Sequence, residues 1–284
     1  MKRYELHAFY KIDENKTTEE LLKMIPKDCK PTERFLTLNQ TDEPEKSRIF
    51  YYGALVLHRN ANEQDLEGIN AKILEMKPTV LDLVTGRNEK TNKLEYLRII
   101  QTSRYLSTND YEAVKKVMAA DVKFLEEHGM IALRTKTELD VLGSPEGYPL
   151  TDEQAREMGK YFEFHFKLEL LEDSGSNNNK YDNKLYDIGK ELQKLYGTIV
   201  PFSYNLVEPY QRFLNLRFWD NGYNNIEKFI KLFTKKILEY DCIVSISRTI
   251  SEYIVQDSLE EFDYPWIGSY DDKVNLKEVL EKFN

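Results

Sequence analysis

The residues best suited to chemistry lie in Tyr161–Leu171, YFEFHFKLELL, where Glu163 and His165 stand two positions apart. Strict alternation puts Glu163, His165, Lys167 and Glu169 on one face of a strand and Phe162, Phe164, Phe166 and Leu168 on the other. A carboxylate beside an imidazole is a general acid–base pairing, because the carboxylate tunes the imidazole around neutral pH. The same step recurs near the N-terminus, as Glu5 and His7 within Arg3–Ile12, RYELHAFYKI.

Two further patterns recur in the same order. LEYLRI (Leu94–Ile99) matches FLNLRF (Phe213–Phe218), which superposes Arg98 on Arg217, and RTKTE (Arg134–Glu138) matches RTISE (Arg248–Glu252). Apolar alternation recurs in any two sheets, whereas Glu, His, two Arg and Glu in a fixed order do not, so the chain reads as two copies of one unit. Guanidinium groups clamp phosphate or carboxylate through paired hydrogen bonds. These residue types point to a small anionic ligand, phosphorylated or nucleotide-like. His165, Glu163 and Glu252 are the expected catalytic residues, with His165 as general acid or base. Arg217, Arg248 and Lys167, with Glu5, His7, Arg98, Arg134 and Glu138 from the first half, are the expected ligand-binding residues. A histidine with two carboxylates can also hold a divalent ion, although neither HExxH nor a Cys/His cluster is present.

The run Glu163-x-His165-x-Lys167 also resembles the Glu-x-Glu-x-Lys first strand of the triphosphate tunnel (CYTH-type) phosphohydrolases. That resemblance implies carboxylates on a metal and Lys or Arg on a triphosphate. His165 stands where that strand carries its second Glu. The competing class is a non-catalytic interaction module, in which the repeated charges are cross-strand ion pairs on a solvated sheet face.

The elements that must position these residues follow one order in each half: strand, helix, one or two strands, helix, strand. This is the ferredoxin-like βαββαβ order, with an antiparallel sheet backed by helices. In that order the first and last strands are neighbours, so Glu163 and His165 are expected beside Arg248 and Glu252, with Arg217 on the strand at the other side. The polar faces of two such sheets would enclose a cavity lined by Glu, His and Arg. Gly143–Pro149 is the expected boundary, giving repeats over 1–148 and 149–284. The first repeat carries extra sequence between Lys30 and Asn92.

Apolar residues at 41% and charged residues at 31% are the balance of a globular chain able to bury a core. A net charge of -9 argues against broad binding to nucleic acid, which needs clustered positive surface. No apolar run reaches the roughly 20 residues needed to span a bilayer, and the first residues alternate, so a cytoplasmic protein is expected. Cys29 and Cys242 have no CxxC spacing, which excludes a disulfide framework, and Cys242 is expected as a buried thiol. Gly-rich phosphate loops, GxSxG and GxGxxG are absent. The acidic aromatic stretch Glu260–Trp266 is expected to pack over the sheet and leaves a protein partner undefined.

Overall fold

A computed structural model describes residues 1–12, 20, 69, 71–73, 77–144, 146–170, 179–205 and 212–283. Of the extra sequence expected between Lys30 and Asn92, residues 31–68 lie outside the described residues. The chain is mixed α+β, and the strand pairings described below are antiparallel. It forms two compact units, one of Met1–Leu81, Arg98–Leu139 and Val255–Leu259, the other of Asp82–Leu97, Asp140–Ile254 and Glu260–Asn284.

In the first unit, β1 (Lys2–Ile12) has the Gln101–Thr108 part of β4 (Leu94–Thr108) on one side and β5 (Met130–Asp140) on the other, β2 (Lys72–Ile73) pairs with β4, and β3 (Lys77–Arg87) begins. Helix α1 (Tyr111–Glu127) starts where Asp110 accepts a hydrogen bond from the Glu112 N–H, and it ends at His128-Gly129, where Gly129 has φ 75°. Its Phe124 and Leu125 close over Ala8, Tyr10 and Met130. The apolar spacing of LEYLRIIQ predicts a strand over Leu94–Gln101, and β4 continues seven residues beyond it. The added stretch, Thr102–Thr108, mixes polar and apolar residues and reads as a loop, yet Thr102, Arg104 and Thr108 are all buried.

The second unit begins with α2 (Asp152–Met158), opened by a capping box between Thr151 and Gln154 and closed by Gly159 in the left-handed region. Then follow β6 (Tyr161–Leu170), α3 (Asn179–Tyr196), β7 (Phe202–Asn205), β8 (Arg212–Trp219), α4 (Tyr223–Ile237) and β9 (Ile243–Asp257). Strand β6 pairs with both β8 and β9, and β7 adds to β8. The β6–β9 segment thus has the βαββαβ order with the first strand between the third and the last, as a ferredoxin-like unit requires.

The Phe face of β6 explains this packing. Phe162, Phe164, Phe166 and Leu168 are at most 2% exposed, and α4 covers the sheet with Ile226, Phe229, Phe233 and Ile237. Ring centroids of Phe166 and Phe233 are 5.1 Å apart, and those of Phe218 and Phe229 5.5 Å. Burying each such ring contributes about 1.5–3 kcal/mol. Gly222, before α4, lies against Thr151, where a Cβ would come within 2.3 Å of backbone. The last helix, α5 (Leu276–Phe283), spans the range that its apolar spacing predicts.

Both long strand pairs carry the same irregularity. Between β1 and β5 the register slips between Phe9 and Tyr10, leaving Leu133 as the extra residue. Between β6 and β9 it slips between Lys167 and Leu168, leaving Ser247. Each is a β-bulge, two positions beyond the histidine.

Candidate functional site

In the second unit, β6 and β9 set Glu163 directly opposite Glu252 and His165 opposite Ile250. Across the other edge, Glu163 faces Arg217 and His165 faces Asn215. The His165 Nε2 is 3.2 Å from Glu252 Oε2 and 3.7 Å from Glu163 Oε2. Its Nδ1 lies 2.7 Å from Asn215 Oδ1. The Asn215 Nδ2 donates to the carbonyls of Pro201 and Phe213, so its oxygen must accept from the ring. The hydrogen on Nδ1 therefore leaves the Nε2 lone pair of a neutral ring aimed between two carboxylates. These three ligand atoms lie within 4.8 Å of one another.

Two carboxylates beside one nitrogen acceptor require a cation. In the metal-free protein it is a proton: burial lowers the His165 pKa, but its hydrogen bond to Glu252 and the charges of Glu252 and Glu163 outweigh burial and raise it to about 9. The other oxygen of Glu163 accepts from Arg217 Nη2 at 2.6 Å and Nε at 3.0 Å. Arg217 Nη2 also donates to Asp263 at 2.6 Å, and the guanidinium carbon lies 4.3 Å from the Tyr161 ring centroid. Burial disfavours the Arg217 charge, but Glu163, Tyr161 and Asp263 outweigh burial and raise its pKa, so it is a fixed cation.

The first unit repeats the arrangement. Glu5 faces Glu138 across β1 and β5, and His7 faces Lys136. The His7 Nε2 is 3.0 Å from Glu138 Oε2 and 3.5 Å from Glu5 Oε1, while Nδ1 donates to the Thr102 carbonyl at 2.9 Å. Lys136 Nζ sits 2.7 Å from the second oxygen of Glu138. Burial raises the Glu138 pKa, but Lys136 and His7 outweigh it and hold the carboxyl well below its usual range. The His165 side chain is 22% exposed against 8% for His7, so only the second cluster opens appreciably to solvent.

The structure thus brings together Glu163, His165, Glu252 and Arg217 in one unit and Glu5, His7 and Glu138 in the other. Arg248 departs from expectation. It is exposed and lies opposite Lys167, not beside Glu163, because Glu252 takes the opposing position. Its counterpart Arg134 is buried, ion-paired to Asp257 and stacked 4.7 Å from the Phe9 ring centroid. The superposition of Arg98 on Arg217 is also overturned. Tyr105 faces Glu5 as Arg217 faces Glu163, so the residue in the position equivalent to Arg217 lies seven residues beyond Arg98 along β4. The sheet face is not solvated at these positions, since Glu163 and Glu252 are only 2% and 5% exposed. Sequence reasoning missed Asn215, Asp263 and Lys136; the parity of Lys136 with Glu138 on β5 was the available signal for the last.

Cys242 is a buried free thiol. Trp266 is buried and donates to the Phe202 carbonyl at 3.3 Å, so this part of the aromatic stretch packs within its own unit. Among the described residues no helix is long and apolar enough to cross a membrane.

No protein family and no curated protein matches the chain. Among solved structures it is similar to chlorite dismutase from Candidatus Nitrospira defluvii in complex with imidazole, at 9% identity and a TM-score of 0.27 over 99% of this chain and 94% of that one. A provisionally named chlorite dismutase matches at 9% identity and 0.25, over 90% and 96%. A provisionally named monooxygenase from Lactobacillus acidophilus NCFM matches at 9% and 0.24, over 90% and 94%. The functional reading rests on this chain's own residues.

Proposed function

We propose that the second unit binds a divalent metal cation through Glu163, His165 and Glu252 and presents it to a small anionic ligand. The observation that carries this reading is the convergence of Nε2 and two carboxylate oxygens within 4.8 Å, with Nδ1–H fixed on Asn215. An outer-shell acceptor on the remote ring nitrogen is how metal-binding histidines are oriented. Three protein ligands leave coordination positions for water or a ligand, as in metal sites that do chemistry.

The anionic ligand follows from Lys167 and Arg248. They are directly opposed in register, on the His165 face of the strands and one pleat repeat along. Like charges in opposed positions destabilise a sheet, and an anion between them reverses that effect. Phe9 and Arg134 take these positions in the first unit. We read the two units as copies of one ancestral βαββαβ unit, supported by the shared Glu-x-His step, the opposed Glu and the equivalent bulges. A triphosphate tunnel needs strand cations directed at phosphates, whereas Arg217 and Arg134 are buried in ion pairs. A solvated interaction face would leave the clusters exposed.

Calorimetric titration of metal-depleted protein with Zn²⁺ tests the reading, followed by inorganic phosphate on the loaded protein. Saturable Zn²⁺ binding lost in His165→Ala, and phosphate binding weakened in Arg248→Ala, are expected. Zn²⁺ affinity unchanged in a folded His165→Ala would overturn it.

A further inference from the structure

The two clusters share their Glu, His and Glu but differ beside the histidine. At the position directly opposite the imidazole, the first unit has Lys136 and the second has Ile250. Lys136 is 4% exposed, and its ammonium lies on Glu138 Oε1 while His7 holds Oε2. One carboxylate thus meets an imidazole and a covalently attached cation. Ile250 brings no charge to the equivalent place, and the cation that does meet a carboxylate of the second cluster, Arg217 on Glu163 Oε1, is shared with a further carboxylate, that of Asp263.

We propose that Lys136 is a built-in cation that closes the first cluster to metal ions, so that of these two clusters only the one in the second unit holds a metal. The inference rests on the metal-binding reading of Glu163, His165 and Glu252. A buried ammonium opposes an incoming divalent ion in two ways. It occupies a carboxylate oxygen, and it places a like charge within a few ångströms in a medium that screens poorly. Removing it leaves Glu5, His7 and Glu138 with the ligand atoms that the second unit presents, and a ring already oriented by the Thr102 carbonyl. Adding a lysine at position 250 fills the second cluster in the same manner. Lys136 therefore acts on metal occupancy without being a ligand.

The experiment counts Zn²⁺ equivalents by calorimetry on metal-depleted protein for the native chain, Lys136→Met and Ile250→Lys, with circular dichroism to confirm folding. Methionine keeps the length and apolar stem of lysine without its charge. The expected counts are one for the native chain, two for Lys136→Met and none for Ile250→Lys. The extra equivalent in Lys136→Met should vanish when His7→Ala is added. Two equivalents in the native chain, one of them lost in His7→Ala, would overturn the inference. So would a folded Lys136→Met with no added equivalent, or a folded Ile250→Lys that still binds one. If the native chain binds none and Lys136→Met binds one, the lysine inference stands and the reading of the second unit falls. Should Lys136→Met not fold, Ile250→Lys decides alone.

Discussion

Glu163 and Glu252 stand directly opposite each other on adjoining strands, and the Nε2 of His165 lies within 3.7 Å of one and 3.2 Å of the other. Opposed carboxylates repel, so this pair is stable only with positive charge between them. Zn²⁺ at 100 times its dissociation constant should add about 2.7 kcal/mol to unfolding stability. In Glu252→Gln the Zn²⁺-dependent rise in melting temperature should largely disappear while the protein remains folded. An unchanged rise would remove Glu252 from the site.

In the metal-free protein the charge between the carboxylates is the imidazolium proton, and this gives stability a pH dependence. The folded pKa of His165 is about 9, above the usual 6.5 of the unfolded chain. Its contribution is therefore fully present below pH 6.5 and is lost as pH rises through 9. The amount is on the order of 3 kcal/mol. Urea unfolding in EDTA across this range should show the decline in the native chain and a flatter profile in His165→Gln. Parallel profiles would refute the assignment.

Arg217 and Arg248 should behave oppositely despite their shared residue type. Arg217→Met leaves Glu163 and Asp263 buried without their shared cation, which costs roughly 3–5 kcal/mol. Arg248→Ala, at an exposed position, should change stability by less than about 0.5 kcal/mol. Chemical denaturation measures both, and comparable losses would contradict the assigned geometry.

Asn215 positions the ring through Nδ1 and does not reach the metal ligands' side of it. Asn215→Leu should weaken Zn²⁺ binding by about 10–100-fold. Asn215→Asp, which keeps an acceptor for Nδ1–H, should recover most of that loss. Competition with a chromophoric chelator reads affinity separately from folding. Equal affinity in all three proteins would show that the hydrogen bond does not orient the site.

The Glu-x-His strand and its opposed Glu were legible because alternation fixes which residues share a face and chain order fixes which strands adjoin. Helix α5 and strand β8 were legible from apolar spacing and turn residues at their ends. The second half of β4 was not, because Thr102–Thr108 buries polar side chains whose partners, such as Asp121 for Arg104, lie elsewhere in the chain. Arg98 was misplaced for that reason. Asn215 carried no signal, since its role depends on Pro201 and Ser203 holding its amide. Asp263 reaches Arg217 from 46 residues away, a contact that no local pattern reveals.

The bulges at Leu133 and Ser247 give these strands unequal tolerance to changes in length. Dropping Ser247 erases the bulge and leaves residues 248–257 opposite their present partners. Dropping any one residue between Thr249 and Ser251 is absorbed at the same bulge and keeps Glu252 opposite Glu163, but it moves Arg248 by one position and turns it to the other face, away from Lys167. Single-residue deletions along β9 should therefore fall into two classes, one that spares the pairing of Arg248 with Lys167 and one that breaks it while Glu252 stays in place, with the divide at Arg248.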